Sequence, residues 1–483
     1  MHPCSSRLAL AGIVSSFVLI ASPVRAALDP SAGVLAEELV GVTIQQLADL
    51  TTAPQRIDPI SVHPDARAIA PALPSDWTAI TAPVPGVLVR GTLRDDPQAH
   101  VVFRLPQHWN GKLVVAGASG TRSEFNGDLV ISDFVLQKGY AYASQNKGME
   151  NLAVTTAADP DGCLLRPVTD LPPGTATNPL LRFFLLDKQN SIPEWGRRMK
   201  DAARIARAIL EERYGRKPAR TYAMGVSNGG YKVRKAIEDY PDVFDGGVDW
   251  EGVFWRVEGP NFIGEIPAGL THFPAYRASG FDPESAAAEA IRAAHWPPDL
   301  VENGTSLWAL NRFSFWEVTE CLYVKELDPR YNPGPGNFAA FAAYDPGARG
   351  EALRKQIRKI ANSGRITRPL ISVHGTLDAL IPLEGHARPY KALIESQGFG
   401  DNYRLYEVQN GNHLESFKGR TFGQQLPSLE LIQPHAQRAF ELLEAWVEKD
   451  QPAPPSQCIP RGGAISSAPA EASCSLLLVQ TSP

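Results

Sequence analysis

One serine lies in a glycine-rich segment whose spacing suits a nucleophile. The segment Gly225-Val226-Ser227-Asn228-Gly229-Gly230 has the pattern G-x-S-x-G with one additional glycine. A strand-like run at 221–225 precedes the serine, and a helical pattern at 228–240 follows it. In this context the glycines allow a sharp strand-to-helix turn that exposes a strained serine hydroxyl. We therefore predict Ser227 as a nucleophile, and the alternative is a glycine-rich turn without chemistry.

A serine hydroxyl is a weak nucleophile at neutral pH and needs a general base. Downstream, the chain supplies an aspartate and then a histidine, which is the order used with this kind of serine turn. Asp378 follows a strand pattern at 370–373, and His413 follows a strand pattern at 403–408. Because parallel strands carry their functional loops at the carboxyl ends, we expect Asp378 and His413 to lie beside Ser227.

Other residues compete for these two roles. Asp249 and Glu251, which follow a strand-like run, are the best rival acids. His374 precedes a glycine on a strand and is interpreted as a packed, hydrogen-bonded residue. The non-catalytic alternatives are that Asp378 caps a turn and that His413 is an ordinary loop histidine.

Acyl transfer also needs two backbone N–H groups aimed at the developing oxyanion. We predict that one belongs to Asn228, the residue after the nucleophile. The other should come from the glycine-rich loop at 117–120, which follows a strand pattern at 112–116. Ala118 or Ser119 is the expected donor there, and the sequence does not choose between them.

Strand and helix patterns alternate along most of the chain. Short apolar runs bounded by turn residues predict strands, the first at 87–90 and the last at 403–408. Apolar residues at helical spacing predict a long helix at 193–214. The alternation implies an α/β fold with a mostly parallel sheet covered on both faces, its core formed by 86–254 and 366–450.

Residues 255–365 interrupt this alternation. The segment is too long for a loop and is rich in aromatic residues, which predicts a large inserted lid subdomain at the rim of the sheet. Trp308 and Phe315 are the predicted substrate-binding residues. The alternative is that the aromatic residues form the core of the subdomain itself.

The two ends of the chain differ from its core. Residues 1–26 contain a basic residue, an apolar run too short to span a bilayer and a small-residue cleavage site, which predicts a signal peptide and a secreted or periplasmic protein. A buried N-terminal helix is the alternative. We expect 27–85 to form an N-terminal arm, and the Pro-, Ala- and Ser-rich residues 451–483 to form a tail.

Removal of a signal peptide would leave an even number of cysteines in an oxidising compartment, namely Cys163, Cys321, Cys458 and Cys474. Their proximity in sequence favours a disulfide between Cys458 and Cys474, with a second joining Cys163 to Cys321. Buried free thiols are the alternative.

Composition excludes several classes of protein. The chain has 483 residues, of which 43% are hydrophobic and 20% charged, as in an ordinary globular enzyme. Its net charge of −5 argues against a nucleic-acid partner, because neutralising phosphates requires a basic surface. No segment after the N-terminus is long enough to span a membrane. The sequence predicts no metal and no cofactor.

Several segments resemble known families. Ser227, Asp378 and His413 together resemble the α/β-hydrolase superfamily over about residues 85–450. The segments 114–122, 139–148 and 226–230 are similar to secreted 3-hydroxybutyrate oligomer hydrolases, and the turn followed by 240–246 resembles the tannase and feruloyl esterase family. Both groups cleave carboxylic esters beneath a large inserted lid. The resemblance implies an α/β-hydrolase fold with an inserted lid.

The chain departs from the tannase pattern beside the triad. That family has cysteines next to the catalytic serine and histidine, whereas Val226 and Leu414 stand here, so no disulfide can tie these positions together. The sequence therefore predicts a secreted serine esterase that forms an acyl-enzyme on an apolar, aromatic or oligomeric hydroxy-acid ester. A serine peptidase or amidase is the alternative, and an inactive binding protein on a hydrolase scaffold is a further one.

Overall fold

A computed structural model describes most of the chain that follows the predicted signal peptide. The described residues are 27–52, 80–120, 124–125, 128–148, 152–155, 164–165, 180–183, 192–259, 261–333, 339–413, 417–418 and 426–474. The predicted signal peptide at 1–26 and Cys163 lie outside them. Among the helices of the described part, none combines the length and the apolar character needed to cross a lipid bilayer.

Fifteen strands occur in the described residues: β1 Leu39–Leu47, β2 Gly86–Leu93, β3 His100–Pro106, β4 Lys112–Gly117, β5 Ala141–Gln145, β6 Leu152–Thr155, β7 Leu164–Leu165, β8 Leu180–Phe183, β9 Arg220–Val226, β10 Gly246–Trp250, β11 Val301–Glu302, β12 Thr305–Ser306, β13 Leu370–Gly375, β14 Tyr403–Val408 and β15 Gln457–Ile459. Ten of them form one sheet in the order β1-β2-β3-β5-β4-β9-β10-β13-β14-β15. Neighbouring strands from β5 to β15 in that order are parallel, and the pairs among β1, β2, β3 and β5 are antiparallel.

The α-helices of the described residues are α1 Gly33–Glu38, α2 Asp133–Gln137, α3 Trp195–Tyr214, α4 Asn228–Asp239, α5 Phe262–Ala278, α6 Ala286–Ala293, α7 Leu307–Asn311, α8 Glu317–Leu327, α9 Ala339–Ala342, α10 Gly350–Ile360, α11 Ala387–Ser396 and α12 Gln433–Lys449. Single π-helical turns occur at Asp128–Ser132 and Arg312–Trp316. Short 3₁₀ helices occur at Ile192–Glu194, Pro346–Arg349 and Gly400–Asn402.

Helices cover both faces of the parallel part of the sheet. In β4, Leu113 and Val115 point into a cluster with side chains of α3, α4 and α11. The alternating residues Val114 and Ala116 point into a cluster with side chains of α2 and α12. Because both faces are covered, the strand must be apolar along its buried length, as it is from Leu113 to Gly117. This sheet, with the serine turn between β9 and α4, is an α/β-hydrolase fold, so the predicted fold class is confirmed.

The predicted N-terminal arm is partly incorporated into the sheet. Within 27–52, the first of the two described parts of the arm, β1 pairs antiparallel with β2 along its length and forms the edge of the sheet. The sequence did not predict this strand, because only its pairing with β2 reveals it. Residues 53–79 of the arm lie outside the described residues.

Residues 255–365, called the insertion below, connect β10 to β13, two strands that pair directly in the sheet. Helices α5 to α10 lie within it, and their aromatic side chains pack into one apolar cluster. In that cluster the rings of Trp296 and Trp316 are 4.5 Å apart. The cluster also contains Leu377 and Ala379, which flank Asp378. The insertion therefore packs directly against a loop at the carboxyl end of the sheet.

The tail is fastened to the last strands of the sheet. Strand β15 pairs with β14, and Cys458 in β15 forms a disulfide with Cys474, which confirms the predicted pair. The backbone N–H of Cys474 donates to Glu407 Oε2 at 2.7 Å, and its carbonyl accepts from Arg388 at 2.6 Å. Cys321 is also disulfide-bonded. Because Cys163 is not among the described residues, the pair predicted for Cys321 stays a prediction.

We expect the double variant Cys458→Ser/Cys474→Ser to be less stable by about 3 kcal/mol, because the bridge closes a loop of about 15 residues in the unfolded chain. Urea unfolding of the purified variant and the wild type measures the difference. Ser473→Ala, at an exposed position next to Cys474, keeps the bridge and is the matched control. Equal unfolding midpoints for the double variant and the wild type would contradict the expectation.

Candidate active site

Ser227 lies in a strained turn between β9 and α4. Its backbone has φ 62° and ψ −123°, a conformation that non-glycine residues rarely adopt and that costs on the order of 1–3 kcal/mol. The N–H of Ser227 donates to the carbonyl of Trp250 at 2.9 Å, and its own carbonyl accepts from Tyr231 at 3.1 Å. The neighbouring strand β10 and the first turn of α4 therefore hold the serine in place.

Three glycines allow α4 to approach the sheet closely at this turn. A Cβ atom on Gly229 would lie 2.1 Å from the carbonyl oxygen of Gly117, and one on Gly225 would lie 2.4 Å from that of Gly229. Neither distance is possible for a real side chain without movement of the backbone. The glycines around the serine are therefore needed for packing against the loop after β4, in addition to the turn itself.

The predicted oxyanion donors lie together at this contact. Asn228 begins α4, where the first N–H groups of a helix have no partner inside the helix. Strand β4 pairs with β9, so the loop that carries Ala118 and Ser119 is adjacent to Asn228. Lys147 fixes this loop, because its ammonium donates to the carbonyl of Ser119 at 2.6 Å and lies 4.0 Å from the centre of the Trp195 ring. The choice between Ala118 and Ser119 stays open.

Asp378 and His413 form a buried hydrogen-bonded pair. Nδ1 of His413 donates to Oδ2 of Asp378 at 2.9 Å, and Oδ1 of Asp378 accepts the backbone N–H groups of Leu380 and Ile381 at 2.9 and 2.7 Å. Burial opposes ionisation of Asp378, but attraction and hydrogen bonding to His413 outweigh it and lower the pKa of Asp378 below its usual value. Asp378 is therefore a carboxylate that orients the imidazole.

The rival histidine is not available for proton transfer. Nε2 of His374 donates to the carbonyl of Ile381 at 2.7 Å, and the ring is fully buried. Burial lowers the pKa of His374 to about 4, so this ring is neutral at the pH where a serine hydrolase would work. It lies 3.4 Å from the carboxylate of Asp378 and packs behind it.

The two rival acids have different surroundings. Asp249 is fully buried, forms an ion pair with Arg234 at 2.6 Å and accepts from the hydroxyl of Ser372 at 2.6 Å. These contacts tie α4 to the sheet. Glu251, in contrast, lies with its Oε2 atom 3.5 Å from Nδ1 of His413. The structure therefore brings a second carboxylate to the same imidazole.

Four consecutive strands of the sheet supply this group of side chains. Ser227 follows β9, Glu251 follows β10, Asp378 lies in the loop after β13 and His413 in the loop after β14. No hydrogen bond joins the Ser227 hydroxyl to His413 within the described part of the chain. Such contacts are often long in the absence of substrate and tighten when it binds.

Glu251, Asp378 and His413 bring potential metal-ligand atoms within 4.8 Å of one another. Nδ1 of His413, however, already forms the hydrogen bond to Asp378, so it is not available to a metal ion. We therefore assign no metal here.

The two predicted substrate-binding residues lie in different environments. Trp308 is fully buried in the core of the insertion, where its indole N–H donates to the carbonyl of Pro297 at 3.1 Å and its ring packs against Tyr276. Other side chains of the insertion cover the whole surface of Trp308, so a ligand cannot contact it. Phe315 is partly buried against the same cluster and stays a candidate.

Sequence reasoning missed Tyr323, which reaches the site from the insertion. Its hydroxyl donates to the side-chain oxygen of Asn228, and its ring lies 5.2 and 5.4 Å from the rings of Trp255 and Phe262. No motif marks this tyrosine, which is 95 residues from Asn228 in the chain. Only the packing of α8 over the sheet brings the two together.

Two family models match separate parts of this chain. A family model described as tannase and feruloyl esterase matches residues 86–254, and one described as 3HB-oligomer hydrolase matches residues 334–483. The first range contains Ser227, and the second contains Asp378 and His413. Both predicted resemblances are thereby confirmed.

Individual relatives match over shorter stretches. The D-(-)-3-hydroxybutyrate oligomer hydrolase of Paraburkholderia xenovorans (strain LB400) is 34% identical over 121 residues, 24% of this chain and 17% of that protein. That of Ralstonia pickettii is 33% identical over 127 residues, 26% of this chain and 18% of that protein. Each match thus spans less than a fifth of the relative. Among solved structures, feruloyl esterase B from Aspergillus oryzae aligns with a TM-score of 0.49 and 13% identity, over 86% of this chain and 88% of that one.

Because the backbone of Ser227 is strained, we expect Ser227→Gly to be more stable than Ser227→Ala by about 1 kcal/mol. Glycine adopts a positive φ without steric cost, whereas alanine retains the strain of the serine. Chemical denaturation of both variants measures the difference, and Gly215→Ala, at a helix end that also has a positive φ, provides the reverse control. If the Ser227→Ala variant proved as stable as Ser227→Gly, the strain would not exist in solution.

Proposed function

We propose that this protein is a serine hydrolase that cleaves carboxylic esters through a covalent acyl-enzyme. The observation that carries the proposal is the 2.9 Å hydrogen bond between His413 and Asp378, at the edge of the sheet that also bears the strained Ser227. A serine nucleophile, a histidine base and an orienting carboxylate at one edge are the groups that acyl transfer requires.

Each group has a defined part in the first half of the reaction. Ser227 Oγ attacks the ester carbonyl while Nε2 of His413 takes its proton. Asp378 stabilises the imidazolium that forms, because its carboxylate accepts from Nδ1. The N–H of Asn228, with that of Ala118 or Ser119, binds the oxyanion, and this contact strengthens as charge develops. The imidazolium then protonates the alcohol as it leaves.

The second half repeats these steps with water. His413 removes a proton from a water molecule, which attacks the acyl-enzyme and passes through a second tetrahedral intermediate bound by the same N–H groups. Collapse of this intermediate releases the carboxylic acid and returns the proton to Ser227. No group other than the side chains and backbone already named is required.

The family comparisons support an ester as the substrate, since both matching families are named for ester or oligomer hydrolysis. We propose an apolar, aromatic or oligomeric hydroxy-acid ester. Rings from and beside the insertion support this class, because Tyr323 contacts Asn228 and packs against Trp255 and Phe262. These rings are almost fully buried, so they make the surroundings of Asn228 apolar without being an exposed contact surface themselves.

We propose further that the protein is secreted or periplasmic. The disulfide between Cys458 and Cys474 supports an oxidising compartment, where such bonds persist. The sequence pattern at 1–26 supports the same conclusion. Mass determination of the N-terminus of protein recovered from the periplasm and the medium tests both statements.

We expect Ser227→Ala and His413→Ala each to lower kcat/KM for a p-nitrophenyl ester by about 10⁴-fold or more, because triad members act as one unit. His100→Ala, on the antiparallel part of the sheet, is the matched control and should keep full activity. A fluorophosphonate should label the wild type and not Ser227→Ala. Faster cleavage of the matching p-nitroanilide would indicate a peptidase or amidase, and absence of labelling would indicate an inactive binding protein.

Replacing the two predicted substrate-binding residues, Trp308 and Phe315, should have different consequences. Trp308→Ala should lower stability by about 3–5 kcal/mol, because it removes a fully buried indole. Phe315→Ala should instead change the relative kcat/KM values for short alkyl esters, aryl esters and hydroxybutyrate oligomers. Thermal unfolding and a substrate panel measure the two effects. If Phe315→Ala lowered kcat/KM by the same factor for all esters, Phe315 would have no part in substrate choice.

A further inference from the structure

A second buried carboxylate faces the imidazole of His413. Oε2 of Glu251 lies 3.5 Å from Nδ1, the same nitrogen that donates to Asp378 at 2.9 Å. Asp378 thus has the better hydrogen-bond geometry, while Glu251 is within range of a strong charge interaction. The serine mechanism described above uses only one of these two acids.

The structure holds Glu251 firmly in this place. The residue is fully buried and has a φ of 53°, which is unfavourable for a glutamate. Its N–H donates to the carbonyl of Val373 at 2.9 Å, and its Oε1 atom accepts the N–H of Gly375 at 3.2 Å. Both partners lie on β13, directly before the loop that carries Asp378. A buried carboxyl group on a strained backbone is costly, and these two hydrogen bonds offset part of that cost.

We propose that Glu251 is a positioning residue for His413: a second carboxylate that stabilises the imidazolium together with Asp378 and partly replaces Asp378 when that acid is removed. The inference rests on the proposed serine mechanism. In a buried site the attraction between the imidazolium and a carboxylate is much stronger than in water. Two carboxylates at Nδ1 therefore favour the protonated ring more than one does.

The other charged groups at this edge do not account for such an effect. His374, which lies 3.4 Å from the carboxylate of Asp378, is neutral near pH 7 because burial lowers its pKa to about 4. Asp249 and Arg234 form an ion pair with each other, at 2.6 Å, and both lie close enough to His374 to influence its pKa. Among the described residues, Asp378 and Glu251 are the carboxylates within 4.0 Å of His413.

The first test is the pH profile of kcat/KM for the full-length protein. A base must be neutral to act, so activity rises as the pH passes the pKa of the imidazole. Glu251→Gln keeps an acceptor for the N–H of Gly375 but removes the charge, so the acidic limb should move to lower pH by about one unit. Glu407→Gln, which also removes a buried carboxylate, should leave the limb unchanged. Glu251→Asp withdraws the charge from the ring and should shift the limb in the same direction, which provides the test if the glutamine variant does not fold.

The second test is a double-mutant cycle on kcat/KM. If Glu251 partly replaces the missing acid, Asp378→Asn should lose only about 10²-fold, against about 10⁴-fold where a triad has one acid. Adding Glu251→Gln should then remove a further 10- to 100-fold, more than Glu251→Gln costs in the wild type. Equal factors in both backgrounds, with an unmoved pH limb, would overturn the inference and leave the serine mechanism intact. Absence of fluorophosphonate labelling at Ser227 would instead overturn the proposed function.

Discussion

The positive φ of Ser227 is a constraint on which much of the surrounding structure depends. A serine keeps this conformation only where its neighbours over-determine it. Here β10 accepts its N–H, α4 begins immediately after it, and the glycine contact between Gly117 and Gly229 brings the helix against the sheet. The same contact places the N-terminus of α4 beside the loop after β4. One local strain is therefore linked to both parts of the predicted oxyanion site.

The parallel sheet gives this turn its partners. Residues that follow β9, β10, β13 and β14 meet because those strands are consecutive and run in the same direction. Three carboxyl groups are fully buried at this edge. Asp378, Glu251 and Asp249 each have backbone or side-chain donors, which is the condition under which a carboxylate can be buried without large loss of stability. Asp249 forms an ion pair with Arg234 that ties α4 to the sheet, whereas Asp378 and Glu251 face His413.

The insertion is part of this edge rather than a separate cover. The indole N–H of Trp316 donates to the carbonyl of Ala379, next to Asp378, at 2.8 Å, and Tyr323 donates to the side chain of Asn228. The apolar cluster of the insertion continues into the loops of the core. Displacement of the insertion would therefore disturb the surroundings of the acid and of the predicted oxyanion donor together. The predicted boundary between lid and core does not coincide with a gap in packing.

The sequence alone determined the α/β alternation, the serine turn and the order of the serine, aspartate and histidine, because each depends on residue type over a short stretch of chain. Proximity in sequence likewise identified the bridge between Cys458 and Cys474. Only the tertiary structure decided that Glu251 faces His413, whereas Asp249, two residues before it, pairs with Arg234. The two acids look alike in sequence, and the direction of each side chain depends on strand pairing and on the backbone turn at Glu251. The same holds for the aromatic residues of the insertion, because the sequence does not distinguish their roles. Only the packing shows that Trp308 lies in the core of the insertion and that Tyr323 contacts Asn228.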